Sequence, residues 1–434
     1  MFGYYLDLAV RSLRRNKALT GLMVLAIAMG IGASMTTLTV LHVLSGDPLP
    51  GRSASLYYPQ LDPRDMQAYT PDVEPPGQLT WIDGMYLLHA KRGTRQALMT
   101  GGMVPLQPAQ SSIDPFHANA RYTTADFFPM FGVPFQYGTA WGDEEDQASA
   151  RVVVISAELN DKLFGGKNSV GKTLRLQKAD FRIIGVLGDW RPNPHFYDLY
   201  MGAYADYEQV YVPLSTSRAL HMEHDGSTDC WGDGGGDQVH LEIQPCTWLQ
   251  FWVELDSPAS VAAYKDFLEH YSADQHAAGR FVRPPNVRLR SLMQWLDYNH
   301  VVPSDTRLQA WLALGFLVVC LVNTVGLMLA KFMRRAGELG VRRALGASRR
   351  TLFGQLLLES GVIGFVGGML GLLLALLGLW LVRQQPSDYA KLAHMDSSML
   401  LATFVISVAA STLAGLLPAW RACRVAPALQ LKAQ

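Results

Sequence analysis

The sequence predicts a membrane protein with four transmembrane α-helices and a large α+β domain between the first and second. Three observations predict it. First, of 434 residues, 49% are hydrophobic and only 17% are charged, against the roughly 25% charge usual in soluble domains. Second, four stretches lack Asp, Glu, Lys and Arg and are long enough to cross a bilayer, which needs about 20 apolar residues: 19–44, 308–330, 361–382 and 397–417. A large soluble protein can bury one such helix; four point to a membrane. Third, the net charge of zero hides a separation. Residues 46–306 hold 20 Lys+Arg and 32 Asp+Glu, a balance of −12, and the remainder holds 17 and 5, a balance of +12.

The elements follow in order. Residues 1–18 form an entry helix with Phe2, Tyr5, Leu6, Ala9 and Leu13 on one face and Arg11, Arg14 and Arg15 near its end. Such a helix lies along a leaflet and bends into the first span; a plain anchor flank is the alternative. Span one, 19–44, is an apolar run of 26 residues. A cleaved signal has an apolar core of about 7–15 residues, so the run reads as a retained anchor. Basic residues near the span ends set the orientation. Arg11, Arg14, Arg15 and Lys17 precede span one. Seven basic residues, Lys331 to Arg350, lie between spans two and three, and Arg421, Arg424 and Lys432 follow span four. Both termini and the 331–360 loop are thus expected in the cytoplasm. The domain 45–306 is expected outside, followed by span two (307–330), span three (361–382), a short outer loop (383–396), span four (397–417) and a tail (418–434).

Within the outer domain, Met85–His89 and Ala97–Val104 read as strands and Thr123–Phe131 as a short helix. ARVVVIS (150–156) reads as a buried strand, QFWVELDSP (250–258) as a strand and NVRLRSL (286–292) as a last one. Between these two, Val261, Tyr264, Phe267, Leu268 and Tyr271 mark one helical face. The mixture predicts two subdomains, one inserted in the other.

GGKNSVGKT (165–173) matches the phosphate-binding pattern G-x-x-x-x-G-K-T. That motif joins a strand to the N-terminus of a helix. Here the order is reversed. SAELNDKLF before it reads as a helix capped by Ser156, and TLRLQKADFRIIGVL after it as a hairpin turning at Lys178–Asp180. Gly165, Gly166 and Gly171 then serve turns, and the chain carries no ATPase core of its own.

Cys230 and Cys246 flank a glycine- and acid-rich loop. An oxidising compartment permits a disulfide between them; two unpaired thiols are the alternative. His221, His224, Asp225, Asp229, Asp233, Asp237 and His240 fit neither a zinc nor an EF-hand spacing, so the segment reads as a solvated, mobile loop. No arrangement of a nucleophile and a base stands out. No catalytic, cofactor-binding or metal-binding residue is assigned.

The 334–360 stretch, RRAGELGVRRALGASRRTLFGQLLLES, reads as a short helix, a stop at Gly346 and a new helix capped by Ser348. Topogenic charge explains its arginines. It does not explain the ordered Gly337, Gly340 and Gly346.

E-L-G-V-R-R-A-L-G-A closely resembles the loop signature of the MacB/FtsX superfamily of ABC-transporter permeases, the mechanotransmission or type VII class. The resemblance extends to RSLRRNKALTGLMVLAIAMGIGASM, to YTTADFFPMFGVPFQYGTAW, to the 151–189 segment, to GGMLGLLLA in span three and to GLLPAWRACRVAPALQL at the end. It implies a periplasmic domain divided into porter-like and sabre-like subdomains, in the inner membrane of a bacterium. It implies a second permease, identical or homologous, and a cytoplasmic ABC ATPase dimer that binds ATP and Mg while this chain binds neither. Glu338, Gly340, Arg342, Arg343, Gly346 and Ala347 would couple to that ATPase. MacB carries its ATPase ahead of span one; only about 18 residues precede it here, so a separate ATPase is expected. A periplasmic adaptor, an outer-membrane channel and membrane lipid join the expected partners; nucleic acid does not. The implied activity is export or periplasmic efflux of a peptide, siderophore or antibiotic-like cargo. The alternatives are FtsX-like regulation of a periplasmic enzyme and LolC/LolE-like lipoprotein extraction. The stretch from Pro192 to Pro245 departs from common members and leaves the cargo open.

Overall fold

A computed structural model describes residues 17–108, 113–235, 237, 239–384 and 397–424. The residues of the expected entry helix, Phe2 to Arg15, and most of the loop 383–396 lie outside them. The chain divides into two compact units, one of residues 46–301 and the other of the flanking segments.

The helices are α1 (Lys17–Ser45), α2 (Trp81–Ala90), α3 (Phe127–Phe131), α4 (Asp143–Gln147), α5 (Ala157–Phe164), α6 (Leu214–Ala219), α7 (Pro258–Ala277), α8 (Leu292–Tyr298), α9 (Ser304–Arg334), α10 (Ala336–Ala344), α11 (Arg349–Arg383) and α12 (Ser397–Arg424). The strands are β1 (Leu56–Leu61), β2 (Arg95–Gln107), β3 (Phe116–Thr123), β4 (Phe135–Gly138), β5 (Val152–Ile155), β6 (Thr173–Leu176), β7 (Ala179–Leu187), β8 (Val210–Pro213), β9 (His224–Asp225), β10 (Asp229–Cys230), β11 (Cys246–Thr247), β12 (Gln250–Glu254) and β13 (Val287–Ser291).

Eleven strands of the 46–301 unit share one sheet in the order β13-β1-β12-β2-β3-β8-β5-β7-β4, with β6 bridging β2 and β7 and β9 added to β2. The pairs β3–β8 and β5–β7 are parallel and the others antiparallel. The strands β3, β4, β5, β7 and β8 all come from 116–213, and β1, β2, β12 and β13 flank that stretch in sequence. The strands of 116–213 and those that flank them thus join one continuous sheet, whose two halves meet where β2 pairs with β3 and β6.

Successive side chains of a strand point to opposite faces, and both faces here are covered. Leu98, Phe251, Val253, Val153 and Ile155 pack on one side beneath Leu87 of α2, Leu159 of α5 and Tyr264, Leu268 and Tyr271 of α7. Ala97, Met99, Trp252, Val152 and Val154 pack on the other beneath the phenylalanines of α3 and Leu292 and Trp295 of α8. Each fully buried side chain of this size contributes about 1.5–3 kcal/mol.

Three sequence expectations change here. The helix expected over Thr123–Phe131 covers only Phe127–Phe131, because Thr123 still pairs in β3. Met85–His89 is not a strand but the body of α2, which Thr80 opens by accepting a hydrogen bond from Asp83 N. Asp83, Gly84 and Leu87 form its narrow buried face. The 221–246 segment is not simply a solvated loop. Strand β9 pairs with Gly101 and Gly102 of β2, and the disulfide Cys230–Cys246 joins β10 to β11. A Cβ on Gly101 would sit 2.6 Å from Asp225 O, so glycine permits that approach. His224 hydrogen-bonds Thr100 Oγ1 at 2.6 Å, and burial lowers its pKa.

Among the described residues, the other unit holds four helices long and apolar enough to cross a membrane: α1, α9, α11 and α12. α1 lies in close contact with α11. A Cβ on Gly371 would lie 3.1 Å from Ile31 Cβ and 3.2 Å from Ala28 O, and one on Gly32 would lie 2.8 Å from Leu374 Cβ. Small residues that let backbones approach are the usual means of joining helices in lipid, where apolar burial drives nothing. Ser34 adds a hydrogen bond to Ala313 O of α9 at 2.9 Å.

Candidate functional site

The site is the elbow between α9 and α11. α9 ends at Arg334, and Arg335 leaves helical geometry before α10 begins. α10 closes with Ala347 N donating to Arg342 O at 3.0 Å and Gly346 N to Arg343 O at 3.1 Å. Gly346 takes φ +100°, which glycine adopts without a Cβ penalty. Ser348 Oγ then accepts from Thr351 N at 3.1 Å and starts α11. The stop and the cap stand where the sequence puts them.

The expected coupling residues fall on this elbow with different surroundings. Glu338 Oε2 accepts from Arg335 Nε at 3.3 Å. Arg342 Nη1 donates to Gln355 Oε1 of α11 at 3.2 Å. Gly340 is buried; Arg343 and Ala347 are half-buried and Gly346 exposed. Ala347 packs against the core of the helical unit. Val341 and Leu345, one turn apart, are 48% and 83% exposed. This uncovered apolar pair is flanked in sequence by Arg342, Arg343, Arg349 and Arg350.

Sequence reasoning missed what holds the elbow. Glu359 of α11 is fully buried and forms ion pairs with Lys331 of α9, also fully buried, and with Arg335 Nη1 at 3.1 Å. Lys331 and Arg335 read as topogenic charge, and the span boundary at 361 left Glu359 in the loop. One signal was present: Glu359 is a single acid abutting a long apolar run, and such residues mark buried polar contacts in membranes.

The GGKNSVGKT segment follows the C-terminus of α5 and precedes β6. Gly165, Gly166 and Gly171 take φ of +63°, +75° and +87°. Asn160 of α5 holds the turn, donating to Lys167 O at 3.0 Å and accepting from Ser169 Oγ at 2.6 Å. The segment runs from a helix C-terminus into a strand, the reverse of the strand-to-helix order that makes a phosphate cradle. Among the described residues no group of three or more His, Cys, Asp or Glu is placed to hold a metal.

The α+β unit carries two further polar features. Arg121 of β3 is fully buried, pairs with Asp198 Oδ2 at 2.6 Å and with Glu208, and Tyr197 OH donates to Glu208 Oε2 at 2.7 Å. Burial pushes the Glu208 carboxyl up, but Arg121, His195 and Tyr197 outweigh it and hold it well below the usual carboxylate range. Separately, Trp81, Met85, Leu88, Asp126, Asp146 and Leu214 line a cavity of about 570 Å³. Burial raises Asp146 to about 6, against hydrogen bonds from Ser215 and Ala125 N that pull it down.

Four apolar helices, a large α+β unit between the first two and a basic elbow between the second and third define a polytopic membrane subunit with an extramembrane domain. A MacB-like periplasmic core domain model matches residues 20–271, and an FtsX-like permease C-terminal model matches residues 311–427. The chain belongs to the MacB-like, FtsX-like family of ABC-transporter permeases. It is an inner-membrane protein with a periplasmic domain. The macrolide export ATP-binding/permease protein MacB of Bdellovibrio bacteriovorus is 25% identical over 296 residues, which cover 67% of this chain and 40% of that protein. The protein of the same description from Shigella boydii is 25% identical over 445 residues, covering 98% and 60%. The chain thus spans between 40% and 60% of the length of these relatives. The crystal structure of the periplasmic region of MacB from Actinobacillus actinomycetemcomitans is similar at 16% identity and a TM-score of 0.36, covering 56% of this chain and 92% of that one.

Proposed function

We propose that this chain is the permease subunit of an ABC transporter that couples ATP hydrolysis by a separate cytoplasmic ATPase to motion of its periplasmic domain. The observation that carries the reading is the elbow. A capped helix of nine residues stands between two candidate spans, fixed on one side by Arg342–Gln355 and Arg335–Glu359 and open on the other at Val341 and Leu345. Such an element is rigid enough to take a push and apolar enough to dock a partner. Glu338, Gly340, Arg342, Arg343, Gly346 and Ala347 are its working residues. Basic residues at the ends of the spans support a cytoplasmic placement of the elbow and of both termini.

ATP and Mg belong to the partner in this reading, and a second permease, identical or homologous, completes the membrane unit. Motion of α10 passes along α9 and α11, and the periplasmic domain moves cargo: a peptide, a siderophore or an antibiotic-like molecule. An adaptor and an outer-membrane channel complete the export route. Copurification tests the assembly. Full-length protein should retain a cytoplasmic ABC ATPase, and Leu345→Asp should release it; an ATPase that never binds, or binds the variant equally, contradicts the proposal.

A further inference from the structure

Two oxygens of one carboxylate hold the elbow. Glu359 Oε1 pairs with Lys331 Nζ from the last turn of α9, and Glu359 Oε2 takes Arg335 Nη1 at 3.1 Å. Arg335 is the residue at which α9 stops and α10 begins. Its guanidinium forks, with Nε on Glu338 of α10 at 3.3 Å. One turn back along α11, Gln355 receives Arg342 from the far end of α10 at 3.2 Å. Glu359 and Gln355 are four residues apart and lie on one face of the helix; both are buried. Lys331 and Glu359 are each almost fully shielded. A buried ion pair is weak evidence for stability, because an apolar pair of similar volume often stabilises as well or better; fixing a geometry is one attested use of such a pair.

We propose that Glu359 is a positioning residue. It locks the angle between α9, α10 and α11, so that a displacement of α10 moves both long helices as one body. Arg335 transmits the lock and Gln355 supports it from the next turn. The inference rests on the reading of α10 as the coupling element for its consequence, but the lock itself is a property of this chain alone.

The test separates the two. Full-length protein in lipid nanodiscs, with Cys320 and Cys423 replaced by alanine, is spin-labelled at Ala344→Cys on α10 and Met369→Cys on α11. The inter-label distance distribution is then measured. The unsubstituted elbow should give one narrow peak, and Glu359→Asp should keep it. Glu359→Gln strands a buried lysine and can fail to fold. The deciding variant is therefore Lys331→Met with Glu359→Gln, which removes the buried pair together. It should fold with an unchanged circular-dichroism spectrum yet lose the narrow peak, and stimulation of the partner ATPase should fall about tenfold. A narrow peak retained in that double variant overturns the proposal. If the peak is lost while the unsubstituted chain binds no ATPase, the positioning role stands and the coupling reading falls.

Discussion

Glu208 and Asp146 show opposite responses of a carboxyl to burial. Glu208 meets Arg121, His195 and Tyr197, which outweigh desolvation and keep it ionised. Its pKa in the folded state is below that of the unfolded chain. Its stabilisation is therefore complete above about pH 4.3, the ordinary glutamate value, and is lost as pH falls through the folded value. No cation among the described residues offsets the burial of Asp146, and its pKa rises to about 6. The sign reverses: the folded state favours the protonated form, and that contribution is full below about pH 4 and lost as pH rises through about 6. Asp146→Asn should raise unfolding stability at pH 8 by up to about 3 kcal/mol and leave it nearly unchanged at pH 4. Denaturant unfolding followed by tryptophan fluorescence at the two pH values checks this. Glu208→Gln leaves the fully buried Arg121 short of one counter-charge, and should cost about 3–5 kcal/mol in the same assay.

Elements respond to their neighbours more than to their own sequence. The disulfide closes a loop with a sequence separation of 16, and replacing both cysteines by serine should cost about 3 kcal/mol on the loop-entropy argument. Faster proteolysis between residues 230 and 246 would be its local sign. On α11, a leucine at Gly371 meets Ile31 and the backbone of α1. Gly371→Leu should abolish a disulfide engineered between α1 and α11, whereas Gly354→Leu, in open space, should leave it intact. Local signals made the capped elements legible. Ser156, Ser348 and Gly346 each hold a terminus by chemistry confined to a few residues. α2 was not legible, because Ile82 and Tyr86 are exposed and only three positions in ten are buried; a narrow stripe gives no 3.6-residue period. The sheet order was not legible either. β1 lies between β12 and β13, and pairings so distant in sequence are set by packing rather than by local preference. The elbow was half legible. Its shape follows from Gly346 and Ser348, but its anchor, Glu359, acts through a contact across 24 and 28 residues that no spacing rule reveals.

At the scale of the molecule, charge, hydropathy and the family all describe one division of labour. A basic, apolar unit sits in the membrane, and an acidic α+β unit works in the periplasm. The nucleotide-like motif at 165–173 belongs to the second unit and turns a helix into a hairpin. Lys172 lies 4.6 Å from the Phe164 ring, packed on its own turn, so Lys172→Ala should leave every ATP-dependent readout unchanged. The proposed ATP link lies instead at the elbow. The most direct measurement is ATP hydrolysis by the partner ATPase, reconstituted with the full-length chain in nanodiscs. The chain alone should hydrolyse no ATP, it should stimulate the ATPase, and Glu338→Ala with Leu345→Asp should reduce this stimulation about tenfold or more. Undiminished stimulation by the doubly substituted chain, or hydrolysis by the chain alone that depends on Lys172, would contradict the proposed link.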